Sequence, residues 1–170
     1  MTTAEPTNPV ELTATIAGAL HQEHFPNGER AALKRMTPGG RAPLAYHRFL
    51  MRTVPEALQA SRYEACWQTL IAGIALQPAH PHDATQSLGQ ALVRIDFSED
   101  RLERLLASDG SVLHTLVLRL ARRLAVQHQK TNWNDLSRLL FAYNEEARER
   151  INTRIARDFY RVSKQPTETQ

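Results

Sequence analysis

A single cysteine, Cys66, in 170 residues excludes an internal disulfide. It sits next to Trp67 and close to Leu70 and Ile71 in a helical pattern, which suits a buried structural thiol in a reducing compartment. Long apolar runs are missing too, and nothing approaches the roughly 20 residues that cross a bilayer. The opening, MTTAEPTNPVE, lacks the basic and apolar regions of a signal peptide. A soluble cytoplasmic protein with no membrane partner is therefore expected. Lysine is scarce as well: only Lys34, Lys130 and Lys164 among 21 basic residues, the other 18 being arginine. Arginine suits phosphate because its planar fork donates two hydrogen bonds at once and keeps its charge, although an arginine-rich genome gives the same bias.

Catalytic and metal-binding constellations are also lacking. His21 and His24 lie three apart on one helical stretch, but no third ligand follows at a recognised spacing. His80, His82 and Asp83 fall in a loop that reads as solvated linker. Serines occur at helix starts, without a Gly-rich elbow or a neighbouring base. The turn Thr37-Pro38-Gly39-Gly40-Arg41 lacks the spacing and the Lys-Ser/Thr ending of a phosphate cradle. No catalytic residue, metal site or cofactor is expected, and the chain does not read as an enzyme.

What is present is helix. No run keeps the period-2 alternation of a half-buried strand for long, and 42% hydrophobic residues suffice for a core. Asn8-Pro9 signals a cap and first turn for a helix to about His24. Asn27 is the expected cap of a short basic helix, GERAALKRM, and Leu44 to Arg52 reads as the next. Pro55 is expected to open a long helix to Leu76, with Trp67, Leu70, Ile71 and Ile74 on one apolar face. The segment QPAHPHDATQ then loses all apolar periodicity and reads as a linker. Ser87 and Ser98 are cap candidates, Ser98 being followed by Glu99 and Asp100, which favour the helix dipole. Asp109-Gly110 is a turn, after which Leu113, Leu116, Val117, Leu120 and Leu124 form a buried stripe with Arg122 opposite and Arg119 and Arg123 on its flanks. Trp133 to Tyr143 and Glu145 to Ser163 complete an all-α chain of about eight helices. Two small bundles are expected, residues 1–86 and 87–164, joined by a loop near residues 77–87, with a fraying tail at 165–170.

Charge is unevenly placed. Residues 1–100 hold 8 basic and 10 acidic side chains, whereas 101–170 hold 13 and 8. On the last helix Arg150, Arg154, Arg157, Arg161 and Lys164 recur at steps of four and three, so one face carries them all. Arg119, Arg122 and Arg123 have no acid on their own helix after Asp109 and are the least compensated cluster. Arg101 and Arg104 share a face, but Asp100 and Glu103 lie nearby in sequence and offer neutralisation. Lys34 and Arg35 end a helix, where complementing its dipole is as good an account as binding. Arg62 precedes Tyr63, and either a cation over that ring or a salt bridge to Glu64 is ordinary. A polyanion partner is the leading idea.

The order of segments carries more than any one of them. GERAALKRM, a helix with Cys66 and Trp67, SLGQALVRI, EDRLERLLASD, LRLARRLA, WNDLSRLLFAY and a final helix containing RDF together resemble the CasB family, the small subunit of the type I-E CRISPR surveillance complex Cascade. The resemblance runs from about Glu11 to Val162. It implies a non-catalytic, all-helical subunit present as two stacked copies. Its implied partners are the other Cascade subunits, the guide RNA-protein backbone and the non-target DNA strand displaced in the R-loop. The family's basic positions fall on Lys34, Arg35, Arg62, Arg101, Arg122 and Arg123, and Arg138 follows Trp133 at the spacing of another; Arg119 joins them on charge alone. Two stretches depart from the family: Gln77 to Gln86 lacks lysines found there, and Asn144 to Thr153 is longer. An independent helical DNA-binding module and a protein-only adaptor are the competing readings, although no tight helix-turn-helix is evident.

Overall fold

The computed structural model describes residues 8–164, so the tail at 165–170 lies outside the described residues. Within them the helices are α1 (Thr13–Leu20), α2 (Asn27–Lys34), α3 (Leu44–Thr53), α4 (Glu64–Ala75), α5 (Leu88–Arg94), α6 (Glu99–Ala107), α7 (Gly110–Val126), α8 (Trp133–Leu140) and α9 (Glu145–Ser163). No strand occurs among the described residues, and the chain is all-α as its periodicity predicts.

Helix α4 is the axis. Every residue from Trp67 to Ala75 is buried, the pattern of a helix surrounded by others rather than resting on one face. α1, α2, α7 and α8 all pack against it, while α5 and α8 pack against α9. Buried side chains from both halves, among them Ile16, Trp67, Ile71, Val117, Trp133 and Ile155, belong to one continuous cluster. Cys66 is half-buried at its edge; its thiol donates to Leu140 O, and burial pushes its pKa up to about 11.

Several predicted caps form. Asn8 Oδ1 accepts from Val10 N at 3.0 Å, Ser87 and Gln90 make a reciprocal capping box, and Ser98 Oγ accepts from Arg101 N. Three expectations need correction. The helix expected from Pro55 is a pair of 3-10 turns, Glu56–Leu58 and Ser61–Tyr63, before α4 begins. The buried indole of Trp67 donates to Leu58 O at 2.8 Å, taking a carbonyl that a continuous helix would have used. Asn27 is the first residue of α2 rather than its cap, which falls on Pro26.

The third correction concerns the expected linker, which is docked at Gln77 and at residues 81–83 while Pro78 to His80, Ala84 and Thr85 stay exposed. Gln77 is buried and its amide donates to Ala121 O at 2.6 Å. Thr131 N donates to Pro81 O, Asp83 N to Thr131 O, and Trp133 N to His82 Nδ1 at 3.1 Å. An isolated parallel bridge joins His82 and Thr131. Bonds to residues distant in sequence, which leave no trace in hydropathy, hold this segment.

Three half-buried histidines couple this packing to pH. Burial lowers the pKa of His21, which donates to Ile74 O, of His82, and of His114, whose Nδ1 lies 2.8 Å from Thr69 Oγ1. Each binds protons less readily folded than unfolded, so its contribution is present above about pH 6.5 and is lost as pH falls from there through the folded-state values. The thermal midpoint is therefore expected to decline between pH 7.5 and 5.5 and to level off above 7.5. A flat profile across that window would contradict this assignment.

Candidate nucleic-acid interface

Helices α6 and α7 form an antiparallel pair because the chain reverses at Asp109-Gly110, where Gly110 takes a left-handed φ of 48°. Leu102 and Leu105 of α6 and Val117, Leu120 and Leu124 of α7 face inward. Between the two helices lies a cleft of about 260 Å³. Its rim is Arg101, Arg104, Arg119 and Arg123, and its apolar lining is Phe97, Leu105, Leu116 and Leu120.

These arginines lack acidic partners. Among the described residues the ion pairs are Arg48–Glu29, Arg138–Asp135, Arg150–Glu146 and Arg154–Asp135, none of them at the cleft. Glu103 does not neutralise Arg104 in the way its place in the sequence suggests. Together with Glu99 it stands by Tyr160 of α9, whose phenol is pushed up by desolvation and by these two charges. Glu99 and Glu103 thus lie near α9, while Arg101 and Arg104 line the cleft with α7. Arg104, set aside on the sequence, belongs to the cluster; helical spacing alone does not show which neighbour takes the acids.

Arg123 also makes a structural contact. Its Nη2 donates to Ile95 O at 3.0 Å and to Asp96 O at 3.3 Å, closing the C-terminal end of α5. No local signal marks a bond 28 residues away. Arg122 is exposed and lies outside the cleft lining.

The remaining candidates are dispersed. Lys34 and Arg35 are exposed at the end of α2, where Arg35 and Arg41 border a shallow depression. The Arg62 guanidinium lies 4.7 Å from the Tyr63 ring centroid, and that ring packs on Phe141. Arg138 faces inward to Asp135 at 3.3 Å, and Arg154 approaches the same carboxylate at 3.8 Å. Asp135 is 1% exposed, and its other oxygen accepts from Leu88 N at 3.0 Å at the start of α5. On the α9 ladder Arg150 pairs with Glu146, whereas Arg157 and Arg161 are exposed without an ion pair among the described residues. Arg148 is spent on structure, donating to Ser108 O at 2.8 Å and to two further carbonyls at the end of α6.

Asp135 thus joins α5, α8 and α9. Asp135→Ala is expected to cost about 2 kcal/mol, below the 3 to 5 of a fully buried pair because both arginines reach solvent, and to lower the thermal midpoint by roughly 4 to 8 °C. Arg138→Ala, with its guanidinium half in water, is expected to cost under about 1 kcal/mol. Equal losses for the two variants in thermal unfolding would contradict the hub role.

Among the described residues no group of three or more His, Cys, Asp or Glu is placed to hold a metal ion, and no helix is long and apolar enough to cross a membrane. No curated protein matches the chain. The crystal structure of M. ruber CasB has the same fold, with a TM-score of 0.61 at 21% identity over 89% of this chain and 94% of that one. The family model of CRISPR-associated protein Cse2 matches residues 29–160, a span that holds the whole α6-α7 cleft. The arginine-lined helix pair, the all-α fold and that match place the chain in the Cse2 (CasB) family of CRISPR Cascade subunits.

Proposed function

We propose that this subunit grips the displaced non-target DNA strand of a type I-E Cascade R-loop and performs no catalysis. The observation that carries the reading is the α6-α7 cleft, where Arg101, Arg104 and Arg119 stand beside the carbonyl-bound Arg123 with no ion pair among the described residues. Exchange of a DNA duplex for a guide-RNA heteroduplex is nearly balanced in free energy, so modest attraction for the freed strand shifts it towards opening. Contacts to phosphate carry no base sequence, which suits a strand chosen by the guide. Exposed Arg122, Lys34, Arg35 and Arg62 lie outside the cleft and serve as separate contacts to the strand and the guide RNA-protein backbone, and two stacked copies lengthen the track.

The test uses the assembled complex with guide RNA and a matching duplex. The triple variant Arg101→Glu, Arg104→Glu, Arg119→Glu is expected to assemble normally and to lower R-loop yield at least about tenfold, a loss of about 1.4 kcal/mol. Normal yield from a fully assembled variant complex would remove the cleft from the mechanism.

A further inference from the structure

The cleft is more than a charged surface, because half its lining is apolar and one wall is held rigidly. Phe97 follows a left-handed residue, Asp96 with φ 52°, at the end of α5. Phe97 N donates to Leu92 O at 3.0 Å and Asp96 N to Val93 O at 3.1 Å, the paired bonds of a Schellman ending. Arg123 then ties Ile95 O and Asp96 O to α7. The Phe97 backbone is in this way held beside the cleft, and the Phe97 and Leu116 side chains, both partly buried, line it. Drug-sized ligands occupy pockets of about 300 to 1,000 Å³, so a cleft of about 260 Å³ fits something smaller.

We infer that the α6-α7 cleft is a mononucleotide subsite, in which Arg101, Arg104 and Arg119 hold the phosphates of a single strand and one unstacked base lies on Phe97 and Leu116. The inference rests on the strand-gripping role above and adds a contact to the base. Charge complementarity selects a polyanion, and the apolar side chains that line the same cleft as the guanidinium groups select one with an aromatic ring. Arginine planes at the rim add stacking and cation-π attraction without base preference. Because the Phe97 backbone is already held by these bonds, only the ring's own torsions need ordering in the contact.

The test compares the full chain's affinity for a short polythymidine strand and for an equally long strand of abasic residues, by fluorescence anisotropy at two salt concentrations. The abasic strand is expected to bind at least about fivefold more weakly, as one stacked base implies. Phe97→Ala is expected to shrink that difference to within about twofold while leaving the salt dependence unchanged. Equal affinities for the two strands, with salt dependence intact, would overturn the base subsite and leave the phosphate role standing. A base-dependent difference that survives Phe97→Ala would overturn its location. Absence of salt-sensitive binding to either strand would overturn the strand-gripping role itself. The first comparison needs no variant, so an unstable Phe97→Ala protein does not shield the inference.

Discussion

Gly89→Ala is expected to lower the thermal midpoint by roughly 6 to 12 °C, the equivalent of about 3 kcal/mol in a chain of this length. A Cβ built on Gly89 overlaps Ile155 O and lies 2.6 Å from Phe159 N and 2.7 Å from Asp158 Cβ. Two of those three atoms are backbone in the middle of α9, so no rotamer change relieves the clash. Helices α5 and α9 must separate, and Ile155 and Phe159, now 1% and 4% exposed, lose their packing with them. A useful control is Gly18→Ala, chemically the same change at an exposed position of α1 with no atom within 4 Å. There the methyl removes only the entropic penalty of glycine in a helix, and stability is expected to rise by about 0.5 to 1 kcal/mol. Circular dichroism melts of the two variants should move in opposite directions. An unchanged midpoint for Gly89→Ala would mean that α5 and α9 do not cross as closely as they do here.

The value of Gly89 was open to a reader of the sequence only as a question. A glycine inside SLGQALVRI signals either a weak helix or a close neighbour, and only tertiary packing decides between them. Local signals fared better where the chemistry is local. The Asn8, Ser87 and Ser98 caps act within three residues, and the α7 stripe from Leu113 to Leu124 depends on helical period alone. Failures came where a distant partner settled the matter. Trp67 broke the helix expected from Pro55 by claiming the Leu58 carbonyl, and the segment around His82 gained order from backbone bonds to residues 131–133. The arginines divide by the same rule. Charge and helical face are legible and bring Arg101 and Arg119 into view, whereas the carbonyls bonded by Arg123 and Arg148, up to 43 residues away, are not; Arg138 differs, since its partner Asp135 is at the local spacing of three. Arg104 is obscured in the sequence for a related reason, since the adjacent Glu103 offers a neutralising charge but forms no ion pair with it among the described residues.

The arginines that remain free make the sharpest electrostatic expectation. For a single strand, log affinity falls with log salt concentration by about 0.7 per phosphate neutralised. If Arg101, Arg104 and Arg119 each neutralise one phosphate, reversing all three to glutamate lowers the slope by about 2. At low salt the variant is then expected to bind a single strand far more weakly than the parent, and a fourfold rise in salt should narrow the gap between them by roughly 16-fold. Convergence at high salt is the signature of lost counterion release, which general damage to the fold would not reproduce. Stability should change little, because Arg101, Arg104 and Arg119 are exposed and hold no ion pair among the described residues. Arg123 is left out of the set on purpose, since its removal frees the Ile95 and Asp96 carbonyls and mixes folding with binding. Arg138 and Arg154 give the opposite control: tied to Asp135, their substitution should move the melting midpoint and leave the slope close to that of the parent. A triple variant with the parent's slope would show that the strand runs elsewhere, and the exposed Arg157 and Arg161 of α9 would be the next positions to reverse.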